Sequence, residues 1–169
     1  GGDNKFLRNE ARGDWYYSLA RDWVVNLAAA GGFIHGYGGE DVHLSNRFFL
    51  GGTSFRGFEY GGVGPRDSDT DDSLGGNLYY TGTAELRFPL GLPEELRIFG
   101  RGFTDVGTLT EIDVDGLTLE DSGSLRVSAG IGFSWLSPLG PLSIDLAQAL
   151  VKETYDKTET FRVSFGTRF

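Results

Sequence analysis

Between Ser124 and Phe169 every second residue is apolar, and the pattern survives three consecutive segments. Leu125, Val127, Ala129, Ile131, Phe133 and Trp135 alternate with Ser124, Arg126, Ser128, Gly130, Gly132 and Ser134. After a Ser137-Pro138-Leu139-Gly140 turn, Leu142, Ile144 and Leu146 alternate with Ser143, Asp145 and Ala147. In the last segment Phe161, Val163, Phe165 and Phe169 oppose Arg162, Ser164, Gly166 and Arg168. A helix repeats every 3.6 residues and scatters such a pattern around its surface, whereas a strand sends alternate side chains to opposite faces. The chain therefore has to build antiparallel strands whose two faces meet different surroundings.

The same period recurs upstream. It predicts seven strands, at residues 5–19, 23–37, 76–90, 95–108, 124–136, 141–151 and 159–169. In the first, Leu7, Ala11, Trp15, Tyr17 and Leu19 oppose Arg8, Glu10, Arg12 and Asp14; in the second, the face opposite Trp23, Val25, Leu27 and Phe33 is made of small residues. In the fourth, Arg97, Phe99, Arg101, Phe103 and Asp105 share one face. Such strands exceed the roughly 5 to 6 residues usual in globular sheets and suit a tilted bilayer crossing. Connections are short at 20–22, 90–94 and 137–140, long at 38–75 and 110–123, and intermediate at 152–158. Short turns at one end and long loops at the other are the layout of an outer-membrane barrel. The 38–75 loop loses the alternation but holds Phe48-Phe49-Leu50 and Phe55-Arg56-Gly57-Phe58, too apolar for a solvated linker. Loops of this length are functional or disordered.

A soluble sandwich would also alternate, with its bulky face turned inward. Composition bears on the choice: 27 glycines, 14% aromatic residues and no cysteine suit a sheet with one small-residue face and aromatic rims. Trp15, Tyr17, Trp23, Phe88, Trp135 and Phe169 gather near the short turns, as an interfacial girdle does. No apolar run nears the roughly 20 residues of a membrane helix. The net charge of −9 and the lack of a basic stripe exclude nucleic acid as a partner. The start at Gly1-Gly2-Asp3 reads as the cut edge of something longer. Asp67, Asp69, Asp71 and Asp72 lack the spacing of a calcium loop, and Gly61-Gly62-Val63-Gly64-Pro65 lacks the lysine of a phosphate loop. His35 or His43 with Ser45 or Ser54 could be written as a hydrolase pair, but no motif surrounds them. The expectation is an all-β antiparallel transmembrane barrel segment that is not an enzyme and has no catalytic residue, cofactor or metal.

Several motifs add to that reading. Gly51-Gly52-Thr53-Ser54-Phe55-Arg56-Gly57-Phe58 closes on an Arg-Gly-Phe, and Gly75-Gly76-Asn77 enters a strand. Phe103-Thr104-Asp105-Val106-Gly107 and Ser128-Ala129-Gly130-Ile131-Gly132, the latter running to Trp135-Leu136-Ser137-Pro138-Leu139-Gly140-Pro141, lie in later ones. In combination these closely resemble the outer-membrane protein assembly factor (BamA) superfamily of barrel insertases, which includes two-partner secretion transporters. The motifs span Phe48 to Phe169; residues 1–37 match in pattern only, and Phe55 stands where many members carry a β-branched residue.

The resemblance implies the C-terminal seven strands of a larger barrel, residues 1–169 forming one domain in the bacterial outer membrane. Its long extracellular loop, 38–75, would fold back into the lumen. There Phe55, Arg56, Gly57 and Phe58 would form the functional motif, with Asp105 as the lumen partner of Arg56. Phe161, Val163, Phe165 and Phe169 would form the C-terminal recognition strand. The implied work is folding and inserting barrel proteins through a lateral seam, with outer-membrane lipid, nascent barrel substrates and accessory assembly lipoproteins as partners. A two-partner secretion or autotransporter-assembly translocator and a passive pore are the alternatives. Open sheet edges invite pairing with another copy, recruitment of residues 46–52 as an eighth strand, or strained closure.

Overall fold

The computed structural model describes residues 5–39, 41–112 and 118–166. Long strands appear where the period-2 pattern lies: β1 (Phe6–Ala20), β2 (Trp23–Gly36), β4 (Leu78–Pro89), β5 (Ile98–Thr110), β7 (Arg126–Ser137), β8 (Gly140–Val151) and the shorter β9 (Phe161–Phe165). They form one seven-stranded antiparallel sheet in the order β1-β2-β4-β5-β7-β8-β9. Two-residue strands β3 (Arg66–Asp67) and β6 (Leu119–Glu120) pair separately and tie the two long loops together. Among the described residues β1 pairs only with β2 and β9 only with β8, so the sheet is open, as befits part of a barrel.

Register turns the sequence pattern into two distinct walls. Val25, Leu86, Gly102, Ile131, Leu146 and Phe161 fall in one cross-strand row and Glu85, Phe103, Gly130 and Ala147 in the neighbouring row on the opposite face. Ile131 is 61% exposed and Phe165 83%, while Arg126 is 1% exposed, so the greasy face is outward; the charged face is buried on β5, β7 and β8 and open on β1. Residues of the charged face from β1 to β8, the exposed Arg12 and the buried Ser143 among them, line one cavity of about 1070 Å³, which requires the sheet to curl around it. The girdle residues sit on the outer wall: Trp23 and Phe88 lie 5.8 Å apart, Trp15 stacks on Tyr17 at 5.9 Å, and Trp135 is exposed.

The buried apolar cluster lies between the long loop and the inner wall. Val42, Phe48, Leu50, Phe55, Phe58 and Val63 from the loop pack with Ile34 of β2 and Leu109 of β5. The loop behaves as the missing half of a core, which is why it is apolar without being periodic.

Three expectations change. The fourth strand begins at Ile98, because Glu94–Leu96 form a 3-10 turn and Arg97 takes a left-handed conformation at φ 51°. That turn carries Arg97 off the lumen face to an exposed site. Residues 46–52 supply isolated bridges, Phe48 to Gly76 and Leu50 to Val63, instead of an eighth strand, because Gly51 and Gly52 turn the chain at φ 131° and 63°. Residues 38–75 are also more ordered than a plain loop, with a 3-10 turn at Leu44–Asn46 and strand β3. Phe169 lies outside the described residues.

Candidate functional site

The Arg-Gly-Phe motif rests on one cross-strand row of the inner wall, in which Thr83 of β4 faces Asp105 of β5 and Asp105 faces Ser128 of β7. Arg56, 4% exposed, grips Asp105 three ways: Nε donates to Oδ2 at 2.8 Å, Nη2 to Oδ1 at 2.9 Å and the backbone N–H to Oδ2 at 3.1 Å. Its Nη1 donates to Glu85, and the guanidinium lies 3.5 Å from the centre of the Phe103 ring. Thr83 Oγ1 donates to Asp105 Oδ1 at 2.8 Å, and Ser128 Oγ donates to the Arg56 carbonyl. A forked donor on a carboxylate gives both strength and direction, and burial without such partners is costly.

The residues around Arg56 are fitted to this close approach. Gly57 adopts φ 91°, and a Cβ there would stand 2.9 Å from Ser128 Cβ. Phe55 and Phe58 are fully buried and meet edge to face at 4.9 Å. Two rows further along the same face the network continues: Arg101 bridges Glu85 and Asp145, crossing Gly132, whose absent side chain leaves room for the contact.

At the β1 side, Arg8 lies 4.5 Å over the Phe48 ring and donates to the Asn46 carbonyl at 3.4 Å, and Tyr79 donates to Glu10 at 3.2 Å. Inside the loop, Arg47 donates to the carbonyls of Val42 and Leu74, and Arg66 to those of Gly61 and Asp71. Arginine side chains thus satisfy backbone groups that no strand partner reaches. At the rim, Lys157 holds the Asp71 carboxyl below the usual carboxylate range by a hydrogen bond and by its charge.

A second buried clamp was not read from the sequence. Arg126 donates from Nε to Asp156 Oδ2 at 2.9 Å and from Nη2 to Oδ1 at 3.1 Å; both side chains are at most 1% exposed. Arg126 belonged to the charged inner face, but Asp156 sits in an aperiodic connector, and only an unmatched inward arginine could have pointed to it.

The remaining sequence candidates fall as follows. Phe161, Val163 and Phe165 point outward on β9, exposed on the edge strand. His35 lies on β2 opposite Leu7, and His43 precedes the Leu44–Asn46 turn that contains Ser45. Ser54 donates its hydroxyl to the Gly51 carbonyl at 2.9 Å. Asp67 caps the backbone N–H groups of Asp69 and Thr70. Among the described residues no group of three or more histidine or acidic side chains is placed to hold a metal.

A curled antiparallel sheet with an apolar outer wall, a charged inner wall and a loop bolted into its hollow defines a segment of an outer-membrane β-barrel with an internal loop. Comparison with known proteins agrees and is more specific. The Omp85 superfamily domain matches residues 1–169, and the chain belongs to that superfamily. It is 46% identical over 167 residues to the outer membrane protein assembly factor BamA of Neorickettsia risticii, covering 98% of this chain and 22% of that protein. It is 30% identical over 185 residues to the BamA of Neisseria meningitidis serogroup B, covering 92% of this chain and 23% of the relative. A SAM50-like protein of Schizosaccharomyces pombe is 32% identical over 145 residues, covering 81% of this chain and 30% of its own length. The fold superposes on the crystal structure of BamA from Haemophilus ducreyi lacking POTRA domains 1–3 with a TM-score of 0.83 at 27% identity, over 96% of this chain and 35% of that one. The chain thus spans less than a quarter of the BamA relatives it matches. It is an outer-membrane protein segment.

Proposed function

We propose that this chain forms the seam-bearing part of a factor that folds and inserts β-barrel proteins into the bacterial outer membrane. The observation that carries the reading is the edge strand β9, which among the described residues pairs with β8 alone and leaves its other edge without a strand partner. That unpaired edge can accept an incoming strand by β-augmentation, and the outward Phe161, Val163 and Phe165 keep it in the plane of the lipid. The loop, on the extracellular side, braces the wall through Arg56 so that the seam opens without collapse of the curl. Nascent barrel strands are the substrate, outer-membrane lipid the surroundings and assembly lipoproteins the accessory partners. The work uses strand exchange and bilayer strain, and no catalytic residue, cofactor or metal takes part.

The test is insertion of a urea-unfolded barrel substrate into lipid vesicles containing the protein that carries this chain. Insertion faster than into empty vesicles, slowed by Arg56→Ala, supports the proposal; rates equal to those of empty vesicles refute it. The charged cavity under the loop favours a second reading, a translocator or passive pore. Steady conductance across a planar bilayer without faster insertion would select it.

A further inference from the structure

We propose that Arg126 and Asp156 are positioning residues for β9, a role that rests on the seam function proposed above. The ladder between β8 and β9 ends at Leu146 and Phe161, extended by a single bond from the Ala147 N–H to the Thr160 carbonyl. The connector that leads into β9 therefore needs another anchor, and the strand's starting point is set by it. Asp156 supplies the anchor. Its carboxylate takes both arms of the Arg126 fork and also accepts from the Glu153 N–H at 2.8 Å, which closes the connector into a turn.

Arg126 in turn spans the neighbouring wall. Nη1 donates to Thr108 Oγ1 of β5 at 3.1 Å and to the Ser124 carbonyl at 2.9 Å, and Nη2 donates to the Tyr155 hydroxyl at 3.2 Å. Every nitrogen of the guanidinium is engaged, and the fork fixes the connector to β7 and, through Thr108, to β5. From that fixed point the chain runs alongside the Arg-Gly-Phe loop. The Glu159 N–H donates to the Gly57 carbonyl, the Glu59 N–H to Lys157 and the Lys157 N–H to Gly62, each at 3.0 Å. The start of the edge strand is thus suspended between the Arg126–Asp156 clamp and the docked loop. Cutting the clamp frees one suspension point while leaving the β2–β4 pairing untouched.

The experiment uses the full protein carrying this chain, in lipid nanodiscs for amide hydrogen exchange and in vesicles for insertion of a urea-unfolded barrel. Asp156→Asn keeps the shape and removes the charge; Arg126→Lys keeps the charge and removes the fork, so it guards against a folding failure of the first variant. Exchange over Phe161–Phe165 is expected to rise about 10-fold or more in Asp156→Asn and by less in Arg126→Lys, with Leu78–Pro89 unchanged. Insertion is expected to slow about threefold or more in Asp156→Asn, because a wandering edge templates poorly. Wild-type exchange at β9 in both variants, or an equal rise across Leu78–Pro89, overturns the proposal. Faster β9 exchange with insertion at the wild-type rate overturns it too, since the pair would then only stabilise. An inactive wild type would refute the function proposed above, while the exchange result would still decide whether the pair positions β9.

Discussion

At the scale of single residues, Arg56 and Asp105 matter because neither tolerates the loss of the other. Arg56→Ala leaves Asp105 buried with Thr83 as its remaining side-chain donor, an imbalance that costs about 3–5 kcal/mol. Limited proteolysis should then cut the 38–75 loop that resists in the wild type; unchanged resistance would contradict this. Arg56→Lys should fall between, since an ammonium cannot reproduce the fork. Gly57→Ala should loosen the loop by about 1–3 kcal/mol, combining left-handed strain with the approach of Ser128, in the same assay. The rim contact of Asp71 with Lys157 titrates. Because the folded carboxyl is depressed, its contribution is complete above the unfolded value near 3.8 and is lost as pH falls through the lower folded value. Amide exchange around Asp71 should therefore accelerate only in strongly acid buffer, and Lys157→Gln should abolish that pH dependence.

At the scale of elements, each strand is a two-sided wall whose faces obey different rules. Ile131→Arg puts a charge on the outer face in mid-strand and should destabilise the folded state by about 2–4 kcal/mol in a urea titration in lipid. Thr104→Val on the same face should be close to neutral. The strands were legible because a period of 2 is a local property and lipid on one side enforces it. The loop's partner Asp105 was legible from its motif and from sharing a face with Arg101. Arg97 was misplaced because alternation says nothing about where a left-handed residue ends it. The loop interior and Asp156 were illegible for a further reason. Arg47 and Arg66 meet carbonyls inside the aperiodic loop and Arg126 a carboxylate in an aperiodic connector, and such contacts leave no periodic trace.

At the scale of the whole molecule, seven long strands curl around a loop and, among the described residues, leave two free edges. Unsatisfied backbone groups along a membrane-buried edge are costly, so the chain expressed alone should pair with a second copy in detergent. Sedimentation should report a dimer, and proline at Val163 should shift it toward monomer. Beneath all of this lies the orientation of the two faces, and lipid-borne quenching measures it most directly. The sequence contains no cysteine, so single cysteines at Ile131, Leu146, Phe165, Thr83 and Ser128 can each carry a fluorophore without a background signal. Nitroxide placed in the acyl chains should quench labels at Ile131, Leu146 and Phe165 and spare those at Thr83 and Ser128; strong quenching at Thr83 and Ser128 with none at Ile131 would contradict the account.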